Sequence, residues 1–266
     1  VVGGGVHYSK SARLVEDFVQ EFMLPLAETQ AGKSAVRSDF PLNMGGVGVL
    51  GSKASNELIE QADVIIALGT RLSDFTTCSN TFFSRPIISI NIDVHDSIKR
   101  DAELALTADV GHALKMLSAR LREQGFKTSA MYQQECRGQK RCWLDIRATA
   151  IACEETYPFS QVQVVGCLND NLPQSAVVVA AAGSLPGDLQ RFWHAGDRKG
   201  FHLEYGYSCM GYEIAGGLGV KMAEPHRSVW VMVGDGSFLM MHSEIVTAIQ
   251  ERQKINIVVF DSSGFN

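Results

Sequence analysis

No stretch of this chain is apolar for long enough to cross a bilayer. The longest run, Ala176 to Ala182, falls far short of the roughly 20 residues a spanning helix needs. Basic charge is not in excess either. Against 24 Lys and Arg stand 29 Asp and Glu, a net charge of -5, which argues against a nucleic-acid or anionic-membrane surface. The six cysteines (Cys78, Cys136, Cys142, Cys153, Cys167 and Cys209) form no CxxC and no zinc-ligand spacing. They read as thiols of a reducing compartment, which places the protein in the cytoplasm. None of the seven histidines stands at metal-ligand spacing, and there is no Gly-x-Ser-x-Gly elbow of a serine hydrolase. Gly32-Lys33-Ser34 ends like a P-loop, but the first glycine of that pattern is Ala27, so the loop cannot wrap a phosphate. Internal repeats and low-complexity segments are absent. So are an initiator Met and a signal peptide, and the chain reads as an internal piece of a longer polypeptide: Val1-Val2 looks like the tail of a strand, and Phe265-Asn266 stands just past a strand tip.

What is present is a packed globular composition, 45% apolar and 20% charged over 266 residues, enough for one large or two ordinary domains. In the first half, strand patterns at Val1-Val2, 64–68 and 86–92 alternate with helical patterns at 11–21, 54–61 and 109–123. Such alternation implies a doubly wound parallel sheet. Gly46, Gly48 and Gly51 fit G-x-G-x-x-G. The preceding 40–44 make a poor strand, so the context of a dinucleotide site is missing and a tight loop-to-helix turn is expected. Residues 126–155 break the strand–helix rhythm and read as a linker with a helix, anchored by Trp143, with the polar, basic run Arg137-Gly138-Gln139-Lys140-Arg141 expected to be a solvated face. A second α/β domain starts near Tyr157-Pro158, with a strand at 175–181 and a polar turn at 183–188. Ser184, at the tip of that strand, could donate to a phosphate.

The most informative unit comes last. Val229 to Val233 is a run expected to be buried on both faces of a sheet, and it stops at Gly234-Asp235-Gly236-Ser237. One helix is expected next, with Met241, Ile245, Ala248 and Ile249 on its apolar face, then a second buried strand over 255–260 and the turn Asp261-Ser262-Ser263-Gly264. The crossover makes the strands parallel, so both turns lie on the sheet edge where open α/β sheets bind ligands. Glycines let backbone N–H groups approach a phosphate, and Asp235 can hold Mg²⁺. Upstream, Gly216, Gly217 and Gly219 stand inside a helical pattern over 212–222 at a cost of about 1 kcal/mol each, which points to close packing there. Met210, just before it, reads either as core or as an apolar wedge under a cofactor ring. His242 reads as a surface residue.

Gly234-Asp235-Gly236, with a polar turn about 27 residues further on, is similar to the diphosphate-binding motif of thiamine diphosphate-dependent enzymes. Two longer strings, 204–221 and Glu28-Thr29-Gln30-Ala31-Gly32-Lys33-Ser34, resemble one branch of that family, which opens trihydroxycyclohexane-1,2-dione hydrolytically to 5-deoxyglucuronate in myo-inositol degradation. The resemblance covers essentially the whole chain. It implies a middle domain over 1–125, a linker over 126–155 and the first part of a diphosphate-binding domain over 156–266, two doubly wound parallel-sheet domains with the second truncated. It implies thiamine diphosphate and Mg²⁺ as cofactors and no flavin. Position by position, Asp235 would bind the metal and the amides of Gly236 and Ser237, next to Gly234, the diphosphate. Met210 would prop the cofactor in its bent form, the Ser208 carbonyl would face the aminopyrimidine, and the Gly264 carbonyl would face the metal. Ser262 stands where the family usually has a metal-binding Asn. The family's activating glutamate belongs to another domain, so no catalytic residue is assigned here, and this piece alone is expected to be inactive. The complete protein is expected to be a homodimer or homotetramer acting on a small cyclic dione. An acetolactate synthase-like carboligase or a 2-oxoacid decarboxylase would share every cofactor residue.

Overall fold

The alternation of apolar runs and amphipathic stretches folds as parallel strands joined by helices, in two separate units. The computed structural model describes residues 1–152 and 158–264, and its units are Val1–Thr149 and Ala150–Asn266. Cys153, the domain start at Tyr157 and the terminal Phe265-Asn266 lie outside the described residues. Among the described residues the other five cysteines are free thiols.

The first unit has strands β1 (Leu26–Glu28), β2 (Asn43–Gly46), β3 (Ile65–Leu68), β4 (Ile87–Asn91) and β5 (Leu104–Thr107), all pairing in parallel. Val2 bridges Glu28 on one side and Leu68 on the other, so the order across the sheet is β2-β1-Val2-β3-β4-β5. The chain winds outward from Val2 first one way and then the other, which is the doubly wound arrangement. At the switch point the two turns touch. A Cβ on Gly3 would lie 2.3 Å from the Gly69 carbonyl, so only glycine permits this approach. One face is covered by the helix Ala12–Phe22, whose Val15, Phe18, Val19 and Phe22 recur at helical spacing and pack with Val110 and Leu114 of the helix Val110–Glu123. On the other face Ile59, Ile65, Leu72 and Ile87 form a second core.

Three expectations for this unit need correction. Residues 40–44 do lead into a strand, β2, and the helix Lys53–Gln61 follows it, so the G-x-G-x-x-G run has a strand before it and a helix after it. Gly48 nevertheless serves packing: a Cβ there, at φ +100°, would lie 2.1 Å from the Phe75 carbonyl. Strand β5 was not expected at all; it carries Leu104 and Leu106 largely exposed at the sheet edge, without a buried-strand signature. The segment 126–155 carries a 22-residue helix, Ala130–Ile151, with Trp143 buried as an anchor. Arg137 and Arg141 are exposed, but Lys140 is not part of a solvated face: its Nζ donates to the carbonyls of Phe40 (2.6 Å) and Asn43 (2.7 Å).

The second unit has β6 (Val177–Ala180), β7 (Phe201–Leu203), β8 (Val229–Gly234) and β9 (Asn256–Phe260) in the order β7-β6-β8-β9, again all parallel. Central β6 and β8 are buried, whereas β9, last in the order among the described residues, is partly buried with Val259 exposed. The single helix expected after Gly236 is two, Asp235–Met241 and Glu244–Gln250, interrupted at His242-Ser243. The interruption rotates the stripe: Ala248 is buried and Ile245 packs on the core, while Met241 and Ile249 are exposed. In the helix Tyr212–Ala223, Gly217 lets β8 approach, since a Cβ there would lie 2.3 Å from the Val231 Cγ2; Gly216 makes room for the Tyr212 ring, and Gly219 faces open space.

Glu28, on β1, and Lys33 are both fully enclosed in the first unit. Burial pushes the Glu28 carboxyl up from 4.5 to about 7, although Lys33 and Asn43 oppose the shift, and burial lowers the Lys33 ammonium to about 8. Between 4.5 and about 7 the folded chain therefore holds a proton that the unfolded chain has released, so this group makes stability fall as pH rises through that window. Denaturant midpoints measured across the window are expected to show this falling component in the native sequence and to lack it in Glu28→Gln.

Candidate cofactor site

Because the four strands of the second unit are parallel, their carboxyl ends share one edge, and each ends in a turn that carries candidate residues. The turn after β6 holds Ser184, the turn after β7 holds Ser208 and Met210, that after β8 holds Gly234 to Ser237, and that after β9 holds Ser262 and Gly264. All nine sequence-assigned positions thus lie on one edge, although they span 81 positions of sequence from Ser184 to Gly264.

Two of these turns are joined directly. The Gly264 N–H donates to Asp235 Oδ2 at 2.8 Å, and the Ser262 hydroxyl lies 3.5 Å from Asp235 Oδ1 and 3.2 Å from the Gly264 carbonyl. Burial acts to raise the Asp235 carboxyl, but N–H groups of Gly264, Gly236 and Ser262 outweigh it and hold it below the ordinary aspartate value. It is therefore a carboxylate at neutral pH. A carboxylate, a hydroxyl and a carbonyl in contact form a hard oxygen set, which suits Mg²⁺ better than softer metals. The space beside the turns is open: a Cβ at Gly234 or at Gly264 would meet nothing within 4 Å. Open glycine backbone next to an oxygen set fits a metal-bound diphosphate. Asp261 Oδ1 accepts from the Ser263 N–H within its own turn.

The turn after β7 is organised by a residue to which the sequence reading gave no role. Glu204, just past β7, accepts the N–H groups of Tyr207 (3.1 Å) and Cys209 (2.7 Å). Burial acts to raise its pKa, but these backbone donors, with Gly206, outweigh it and hold it below the ordinary glutamate value. Ser208 adopts a left-handed φ of +56° inside this wrap. Met210 is 38% exposed and so is not part of the buried core. Ser184 is exposed at the start of the helix Leu185–Phe192, and its side chain caps no helix N–H. His242 is exposed, as expected of a surface residue, with its ring nitrogen near the Leu239 carbonyl.

Behind the edge lies a second residue without a role in the sequence reading. Glu213, in the first turn of the helix Tyr212–Ala223, is 1% exposed, and both its oxygens lie 2.8 Å from the Ser237 hydroxyl. The signal for it was a lone acid within an otherwise apolar, glycine-rich helix start, a place where a carboxylate is favoured by the helix dipole. Elsewhere among the described residues, Asp93, His95 and Asp96 bring ligand atoms together, but they are largely exposed and Asp93 caps its own helix.

Residues 1–117 match the family model of the thiamine pyrophosphate enzyme central domain, and residues 181–266 that of the C-terminal TPP binding domain. Over 291 aligned residues the chain is 43% identical to the 3D-(3,5/4)-trihydroxycyclohexane-1,2-dione hydrolase of Clostridium perfringens (strain ATCC 13124). It is 46% identical over 290 residues to the protein of that name from Geobacillus thermodenitrificans, and 41% identical over 292 residues to that of Bacillus cereus (strain AH820). These alignments take in 100% of this chain but 45%, 44% and 45% of the relatives, so the chain spans less than half the length of the curated relatives it matches.

Removing the Glu204 charge is expected to loosen the β7 turn without unfolding the sheet. In Glu204→Gln, amide hydrogen exchange at Tyr207 and Cys209 should accelerate by roughly tenfold, the equivalent of losing a charge-assisted hydrogen bond of about 1.5 kcal/mol. Amides of β6 should be unaffected.

Proposed function

We propose, from the premise that this chain belongs to the thiamine pyrophosphate enzyme family, that it is part of a thiamine diphosphate- and Mg²⁺-dependent hydrolase. The complete enzyme would cleave the ring C–C bond of a cyclic 1,2-dione, trihydroxycyclohexane-1,2-dione, in inositol degradation. The carrying observation for the cofactor is the meeting of Asp235, Ser262 and Gly264 beside the open glycine backbone of Gly234. For the substrate it is identity of 41–46% to relatives bearing that name, over the whole of this chain.

When bound, thiamine diphosphate supplies a nucleophilic carbon and an electron sink for C–C cleavage. The chain's own residues hold and orient. The Asp235 carboxylate, the Gly264 carbonyl and the Ser262 hydroxyl would hold the metal. Backbone N–H groups of Gly236 and Ser237, at the start of the helix Asp235–Met241, would donate to the diphosphate, and Ser184 would add a hydroxyl. The turn that Glu204 wraps would present the Ser208 carbonyl and the Met210 side chain to the organic part of the cofactor. The activating glutamate and most substrate contacts would come from the remaining domains, and the complete protein would assemble as a cytoplasmic homodimer or homotetramer. The isolated chain would then bind the cofactor weakly and turn nothing over.

In the complete protein, Asp235→Ala is expected to lower kcat/KM by at least about a thousandfold at limiting Mg²⁺, because it removes the one charged ligand of the metal. Assay on the cyclic dione and on pyruvate separates the hydrolase from a carboligase or decarboxylase; turnover of pyruvate alone would sink the hydrolase reading. Ser262→Asn places an amide carbonyl where the hydroxyl stands. Calorimetric titration is expected to show Mg²⁺ binding several-fold tighter in that variant, and weaker binding would exclude position 262 from the metal site.

A further inference from the structure

The Ser237 hydroxyl is already committed. It is 3% exposed, its oxygen accepts from the Gly211 N–H at 2.7 Å, and its single proton is directed at the Glu213 carboxylate, 2.8 Å from both oxygens. The same Gly211 N–H also lies 3.0 Å from Glu213 Oε2. A hydroxyl has one proton to donate. Held by the Glu213 oxygens, that proton is not available to a diphosphate oxygen, and Ser237 can serve a phosphate through its backbone N–H alone.

The three residues form a buried knot between two turns of the site. Gly211 follows Met210 directly and sits at φ +89°, and a Cβ there would lie 2.8 Å from the Met241 Cγ, so the turn is pressed against the helix that Asp235 begins. Ser237 is two residues beyond Asp235. Glu213 therefore ties the turn carrying Ser208 and Met210 to the turn carrying Asp235 and Gly236. Position and angle matter strongly for an enzyme that holds reacting groups at close range, where small displacements cost large factors in rate.

We propose that Glu213 is a positioning residue: through Ser237 and the Gly211 N–H it fixes the distance between the Met210 turn and the diphosphate cradle, and so sets how the bound cofactor is bent. The proposal rests on the cofactor reading above and concerns this chain's own hydrogen bonds. Its main effect should fall on the geometry of the bound cofactor more than on its affinity, because the groups that would bind the diphosphate remain in place when the knot is cut.

The test uses the complete protein with thiamine diphosphate and Mg²⁺, comparing the native sequence with Glu213→Ala, Glu213→Gln, Ser237→Ala and the double variant Glu213→Ala/Ser237→Ala. The readouts are cofactor affinity by calorimetry and the rate of deuterium exchange at the thiazolium C2, followed by NMR without substrate. Exchange is expected to slow by about tenfold or more in each alanine variant, with affinity changed by less than about threefold. The double variant should be no slower than the slower single one, because one knot is cut once or twice with the same result. Glu213→Gln keeps an acceptor for Gly211 and should recover part of the loss. If Glu213→Ala does not fold, Ser237→Ala, which deletes only a hydroxyl, carries the comparison with Glu213→Gln. Exchange within twofold of the native rate in folded variants would overturn the proposal, as would affinity and exchange falling together by the same factor. Failure of the native protein itself to bind thiamine diphosphate would instead overturn the cofactor reading.

Discussion

The hydrogen bond from the Gly264 N–H to the Asp235 carboxylate joins the ends of two neighbouring parallel strands, and the candidate site is built outward from it. It is possible only because β8 and β9 run the same way in register, with Gly234 opposite Phe260. Parallel pairing demands a crossover, the crossover here is helical, and its first residue is the aspartate itself. The same geometry places β6 and β7 on the other side, so that Ser184 and the Glu204-wrapped turn arrive at the same edge. Direction of the strands, more than any single side chain, decides that residues 80 positions apart, Ser184 and Gly264, lie on one edge.

The site is held by backbone donors satisfied by carboxylates at three levels. Asp235 receives the β9 turn, Glu204 gathers the β7 turn, and Glu213 binds the β7 turn to the start of the helix after β8. Asp235 and Glu204 face solvent at least in part, and both rest below their ordinary values, because N–H groups aimed at a carboxylate favour its charged form. Their grip is present at neutral pH and is lost as pH falls through those depressed values. Glu213 is buried and acts on the cradle from behind.

Much of this was legible in the sequence. The uninterrupted apolar run of β8 stopping at Gly-Asp-Gly announced a buried strand with a ligand turn, and the structure puts the partner turn in contact with it. What was not legible follows from tertiary context. The apolar residues of β9 look like those of a fully buried strand, and its partial burial in this chain could not be read from composition. Met241 and Ile249 fit a helical stripe, but the break at His242-Ser243 changes which way they face, and no proline or glycine marks that break. Lys140 lay in a basic run that looks solvated. Only the fold reveals the carbonyls of Phe40 and Asn43 that need its donors, 100 and 97 residues away. Glu204 and Glu213 carried no spacing signal, since their partners are backbone N–H groups and a hydroxyl brought close by the turns.

The measurement that bears most directly on this account is a crystal structure of the complete protein with thiamine diphosphate and Mn²⁺ in place of Mg²⁺, located by its anomalous scattering. The account predicts one metal peak within about 2.3 Å of the Asp235 carboxylate and of the Gly264 carbonyl, with the diphosphate over Gly234 and Gly236. A metal peak that makes no contact with Asp235, or a diphosphate bound away from the carboxyl edge of the β7-β6-β8-β9 sheet, would contradict it.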